Sequence, residues 1–309
     1  MKFIKEECLP FIKKIIKSDK PIKLFKLLME EFGISLHQAQ KVIDTKKVYK
    51  NREVIVDKSA VVEGEIEVVW FEPRTRGLKP LFSTNDFAIF DKPSGVMVHP
   101  RNRQSGYTLV DEVRWHFGDE ANITHRIDKE TSGLVLAAKH KRAEKELKKM
   151  FEAKKIQKSY LALVRGVITQ ELFIDEPILL NRDYSTVKLK VFVDRRGKPA
   201  QTIVRPLEHF NGSTLVEAFP LTGRQHQIRA HLFHVKHPIV GDPIYGVPTG
   251  VAIAYLDKKL SPDDRIRLTG AARLMLHAST LAFAYKKSFY KIVSKQPFWQ
   301  ECLRLLEVR

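Results

Sequence analysis

His125-Arg126-Ile127-Asp128-Lys129-Glu130-Thr131-Ser132-Gly133-Leu134 is the stretch on which the reading of this chain turns. It runs straight into the apolar run GLVLAA (133–138), so the charged residues read as a loop that ends at a sheet. Loops held by a rigid sheet are where catalytic side chains gather. The same ten residues also read as a charged turn capped by Thr131, Ser132 and Gly133, and on their own they leave both readings open.

A second segment lies about a hundred residues on. Thr222-Gly223-Arg224-Gln225-His226-Gln227-Ile228-Arg229-Ala230-His231 packs two arginines and two histidines around one apolar residue. Helical spacing from 223 to 231 separates Ile228 from Gln227 and Arg229, and Arg224 and Arg229 read either as donors suited to phosphate or carboxylate or as ordinary surface arginines.

Around these segments, apolar strands such as FAIF (87–90), YLALV (160–164) and LVEAF (215–219) alternate with polar turns. A helix is expected over 142–155 (RAEKELKKMFEAKK), with Leu147 and Phe151 one turn apart. Many strands with scattered helices predict an α+β domain around a mixed sheet from residue 81 onward. Residues 1–80 differ in texture. Leu24, Leu27 and Leu28 predict a helix stopped by Gly33, and Ser35 caps a second helix through Ala39 to Ile43. Short β-branched pieces follow, and EPRTRGLKP (72–80) reads as a linker.

The net charge of +18 reads as attraction to a polyanionic partner, nucleic acid before any other, or as the plain solvated surface of a lysine-rich protein. The segment 139–158, with nine Lys/Arg and three Glu, reads either as a solvated helix face or as a contact with an RNA backbone. Cys8 and Cys302 form neither a disulfide framework nor a zinc site, and a reducing cytoplasm is expected. No apolar run reaches the roughly 20 residues of a membrane span. At the N-terminus, MKFIKEECLPFIKKIIKSDK alternates apolar residues with lysine. That argues against a signal peptide and leaves a short docking helix or an amphipathic membrane-surface helix.

HRIDKETSGL closely resembles the catalytic signature of the RluA family of pseudouridine synthases, His-Arg-Leu-Asp followed by Thr-Ser-Gly. The resemblance continues in order through DKPSGVMVHP (91–100), KSYLALVRG (158–166), RRGKPAQT (195–202), TGRQHQIRAHL (222–232), HPIVGDPIYG (237–246) and LMLHA (274–278). It covers nearly all of 81–309 and implies the pseudouridine synthase fold, with a mixed, mostly antiparallel central sheet. It also implies RNA as substrate, ribosomal RNA ahead of transfer RNA, and no cofactor, metal or obligate protein partner. Asp128 then matches the catalytic aspartate, Tyr160 the tyrosine that stacks on the target uracil, and Arg229 the basic partner of the aspartate. Ile228 matches the apolar residue lining the base pocket, and Arg126 the arginine that fills the gap left by a flipped base, with His125 and Arg224 joining the substrate-binding set. Ile127 departs from the usual leucine, and Gln225 from threonine or serine.

Residues 1–80 resemble the S4 RNA-binding domain more loosely. Lys23-Leu24-Phe25-Lys26 stands for Arg-Leu-Asp-Lys, and KKVYKNREV (46–54) for the glycine-valine-asparagine turn. Phe25 replaces the acidic residue, while Lys41, Lys46, Lys47, Lys50 and Arg52 keep a basic surface. A plain helical cap is the other reading.

Isomerising uridine breaks the N1–C1′ bond, turns the base and rejoins it through C5. The ribose acquires oxocarbenium character, as in glycoside hydrolysis. Because the base never leaves, one carboxylate in a dry pocket is enough, and an arginine beside it keeps it charged. The resemblance suggests the Tyr160 hydroxyl for removing the C5 proton. A non-catalytic RNA-binding or ribosome-assembly factor is the reading from another class, and it would be favoured by loss of Asp128 or Tyr160. His231, His234 and His237 recur every three residues, but no carboxylate or cysteine completes a metal site there.

Overall fold

A computed structural model describes residues 10–102, 105–180 and 190–307. Cys8 lies outside them. The chain forms two compact units, Met1–Thr75 with Pro100–Asp111, and Arg76–His99 with Glu112–Arg309. The first break falls within the expected linker, and Pro100–Asp111 groups with the N-terminal unit although it follows residue 81.

In the first unit, helices Leu24–Phe32 and Leu36–Asp44 accompany a four-stranded antiparallel sheet, ordered Phe11–Lys23, Val61–Phe71, Val48–Lys50, Glu53–Val54. Gly33 ends the first helix in the left-handed conformation at φ 62°, where a side chain would be strained. Ser35 and Gln38 form a reciprocal capping box at the start of the second. Leu24, Leu28, Ala39 and Ile43 bury their side chains against Val48, Ile66 and Val68. The expected N-terminal docking helix is instead a strand from Phe11, its first nine residues lying outside the described region. The segment runs in pairs, Phe11-Ile12-Lys13-Lys14-Ile15-Ile16, a repeat of four that suits a helix, but Ile12, Ile15, Ile16 and Ile22 are β-branched. The long strand Val61–Phe71 supplies its partner, with Ile16 opposite Ile66.

The second unit is built on a ten-stranded sheet. Its main path runs Leu172–Asp175, Gln201–Phe210, Ser213–Pro220, Gln157–Arg165, Leu276–Tyr285, Ser132–Ala138, Phe87–Lys92, Phe82–Ser83. Every pairing is antiparallel except Leu276–Tyr285 with Ser132–Ala138, so the sheet is mixed and mostly antiparallel. All seven residues of Ser132–Ala138 are buried, which fits a central strand covered on both faces. Helix Lys141–Glu152 packs Ala143 and Leu147 against Leu134, Leu136 and Phe283. It stops three residues short of the expected end, and Lys154 turns left-handed at φ 56°. Elsewhere Ile228 and Leu232 of helix Gln227–His234 pack with Leu163, Val216 and Leu276.

Candidate active site

The parallel crossing places the charged loop. Gly133, second in its strand, sits at φ 106°, paired with Ala278, and a Cβ there would lie 2.2 Å from the Ala278 carbonyl oxygen. Only glycine lets the two backbones approach so closely. The preceding loop is fastened from the DKPSG segment. The Lys129 carbonyl accepts from Gly95 N (2.9 Å) and Lys92 Nζ (3.1 Å), and the Glu130 carbonyl from Ser94 Oγ (2.6 Å). Lys92 is fully buried, and its ammonium also donates to the carbonyls of Pro93 and Val96. Burial pulls this amine down to about 7, against the pull of the Asp128 and Glu130 charges.

Asp128 faces an ion chain. Arg229, buried on its helix, donates from Nη1 to Asp128 Oδ2 at 3.0 Å. Its Nε and Nη2 reach the two oxygens of buried Asp242 at 2.7 and 2.9 Å. Asp242 Oδ1 also accepts from the backbone of Ile244 and Tyr245, and the Tyr245 ring lies 5.1 Å from the guanidinium carbon. His226, left-handed at φ 52° where the helix begins, brings Nε2 to 3.7 Å from Asp128 Oδ2. Burial alone would raise the Asp128 carboxyl. The charges of His226, Arg229 and Lys92 and the Arg229 hydrogen bond outweigh burial and hold it below the ordinary carboxylate value. Burial likewise opposes the Arg229 charge, yet Asp242 and Asp128 raise that guanidinium well above its usual value.

Tyr160 comes from the next strand, in register with Ala278 on one side and Ala218 on the other. Burial first, then the Asp128 charge, pushes its phenol upward, so the hydroxyl stays neutral. Asp128, Tyr160, Ile228, Arg229, Arg126 and Arg224 line one cleft, and Lys158 joins them. Arg126 and Arg224 are exposed, and the Lys158 amine is lowered by burial. An ionised carboxylate, a flat ring and an apolar wall beside cations suit a planar base on an anionic chain.

Comparison with known proteins places the chain in a family. A family model described as RNA pseudouridylate synthase matches residues 86–234. An uncharacterized RNA pseudouridine synthase of Helicobacter pylori (strain J99) is 37% identical over 292 residues, covering 94% of this chain and 97% of that protein. The ribosomal large subunit pseudouridine synthase D of Escherichia coli (strain K12) is 31% identical over 266 residues, covering 83% of this chain and 78% of its own. This chain belongs to the RluA family of RNA pseudouridine synthases. It is an isomerase acting on RNA. The human RNA Pseudouridylate Synthase Domain Containing 1 structure shares the fold, with a TM-score of 0.58 at 24% identity over 77% of this chain and 98% of that one.

One expected member of this synthase's site lies elsewhere. His125 is absent from the cleft lining; its Nε2 accepts from Leu136 N at 3.0 Å, and its ring packs on Phe151 at 4.5 Å. Burial holds it neutral, down to about 3. It braces the loop from behind. Sequence reasoning passed over Asp242, Lys92, Lys158 and the approach of His226 to Asp128. The available signal for Asp242 was a lone carboxylate in the apolar run HPIVGDPIYG. The repeated histidines do not converge. His231 bonds Thr202 and the Glu176 carbonyl, and His237 the Arg165 carbonyl. Among the described residues no group of three or more His, Cys, Asp or Glu could hold a metal ion, and no helix is long and apolar enough to cross a membrane.

Proposed function

We propose that this synthase isomerises specific uridines of ribosomal RNA, with Asp128 as the catalytic carboxylate. The observation that carries the reading is the chain Asp128–Arg229–Asp242, buried at Arg229 and Asp242 and opening at Asp128 into a cleft that Tyr160 lines. An ionised Asp128 meets the electron-poor C1′ as the N1–C1′ bond opens, either by attack or by charge stabilisation. Arg229 keeps it ionised, Tyr160 stacks on the uracil, and Ile228 closes the apolar side. Once the C5–C1′ bond has formed, the C5 proton passes to the Tyr160 oxygen as its hydroxyl gives its own to the freed Asp128 carboxylate; the C5–H electron pair restores the uracil ring, and Asp128 returns the proton to the former N1. Arg126, exposed at the mouth, fills the gap of the flipped base and offsets part of a cost of roughly a few kcal/mol.

Ribosomal RNA is favoured by the relatives whose names state that activity. Transfer RNA is the second reading. We read residues 1–80 as an S4-like RNA-binding domain and 81–309 as the catalytic domain, the former supported by two capped helices on a small sheet with basic turn residues. The enzyme works in the cytoplasm without cofactor, metal or obligate protein partner. Mapping pseudouridines in total RNA from cells with and without the gene tests the substrate, and sites lost only from transfer RNA would overturn the ribosomal assignment. Asp128→Asn abolishes tritium release from C5-labelled uridine while RNA binding persists. Residual turnover within about tenfold of wild type, a fraction of what one catalytic group contributes, would sink the role of Asp128.

A further inference from the structure

Helix Pro262–Thr269 reaches the two loops that carry Asp128 and Asp242 through a residue that none of the recognised motifs contains. Its Arg265 donates from Nη2 to Glu130 Oε2 at 2.5 Å, and the Tyr255 hydroxyl donates to Glu130 Oε1 at 2.8 Å. Glu130 stands two residues after Asp128, and both members of the ion pair are largely buried. Burial opposes the Glu130 charge, but the Arg265 bond and charge and the Tyr255 bond keep its carboxyl below the ordinary value. The same Nη2 also faces the carbonyl of Gly241 at 3.5 Å, a long and weak contact. Gly241 adjoins Asp242, which holds Arg229. Its own amide donates to the Thr269 carbonyl at 2.9 Å, at the end of the Arg265 helix. Thr269 Oγ1 in turn bonds the Arg265 carbonyl.

One short helix thus grips both loops whose side chains meet at Arg229. We propose that Arg265 is a positioning residue for the isomerisation: by tying the Asp128 loop to the Asp242 loop it sets the Asp128–Arg229 contact. This rests on the catalytic reading of Asp128 given above. Arg265 does not touch the cleft lining, so its effect reaches the reaction only through Glu130 and Gly241.

The test uses the full-length protein carrying Arg265→Met, Arg265→Lys, or the pair Glu130→Gln with Arg265→Met, the last so that no buried charge is left alone. Single-turnover tritium release from C5-labelled ribosomal RNA is followed across pH, alongside RNA affinity and thermal unfolding. Arg265→Met is expected to slow turnover about 10²-fold, the effect of a small misplacement of reacting groups, with RNA affinity unchanged. The acid limb of its rate profile moves to higher pH, because Asp128 loses part of its hold on Arg229. Arg265→Lys, which still donates to Glu130, recovers most of the rate. The paired variant melts near wild type yet remains slow. A paired variant as fast as wild type would overturn the proposal, as would an Arg265→Met protein that is less stable but unaltered in rate and pH profile below its transition. If Asp128→Asn in the same assay turned over normally, the catalytic reading would fall and the latch with it. An inactive Asp128→Asn beside a fully active Arg265→Met would overturn the latch alone.

Discussion

Asp242→Asn tests the brace behind Arg229. Asparagine keeps the Oδ1 position that accepts from the Ile244 and Tyr245 amides, so the turn survives. It removes the charge and sets an amide donor against the Arg229 Nε–H now bonded at 2.7 Å. Two charge-assisted hydrogen bonds are at stake, each contributing about 1.5–3 kcal/mol. Breaking a buried pair by removing one partner costs about 3–5 kcal/mol, because the other charge stays behind in a dry site. For a unit of this size that lowers the melting temperature by roughly 10 °C. Arg229 then keeps the Asp128 bond at 3.0 Å and an Nη2 bond to the retained Oδ1, now a neutral acceptor, while its Nε–H loses its partner; the guanidinium shifts and turnover falls about 10²-fold. Circular-dichroism melting gives the first number, and single-turnover tritium release well below the transition gives the second. A melting curve superimposable on wild type together with an unchanged rate would refute the reasoning.

Tyr160→Phe keeps the ring and hence the stacking, but turnover slows by roughly 10²–10⁴-fold if the hydroxyl handles the C5 proton; an unchanged single-turnover rate with normal RNA affinity confines Tyr160 to stacking. Stability also depends on buried histidines, since burial lowers His99 and His277 to about 4 and His125 to about 3. The unfolded chain takes up these protons near 6.5 while the native state does not, so stability rises with pH between about 4 and 6.5 and is lost as pH falls through that window. A melting temperature that stays flat across it would contradict the neutral, buried placement of these rings.

Local chemistry was legible where one segment both makes and satisfies its own pattern. Leu24, Leu27 and Leu28 followed by Gly33, and Ser35 as a cap ahead of Ala39 and Ile43, predict helices that are present. The loop ahead of GLVLAA carries Asp128 as its residue types imply. What stayed hidden depends on partners far away in the chain. Lys92 resembles any surface lysine until three carbonyls surround its ammonium, one of them 37 residues on. His125, inside the most telling motif, turns its back on the cleft because Leu136 N and Phe151 occupy it. The N-terminal lysine alternation became a strand because Val61–Phe71 offered an edge, which no local window reveals.

Ala278 has Gly133 opposite it on one side and Tyr160 on the other. The end of the Asp128 loop and the tyrosine are therefore separated by two rungs of the ladder, roughly 10 Å. That span is a ruler made of backbone, and the missing Cβ at Gly133 sets its first division. Changing the side chains around it leaves the length unaltered. On the proposed reading, adapting the enzyme to a different RNA falls to an exposed rim residue such as Arg224, which lies outside this ladder.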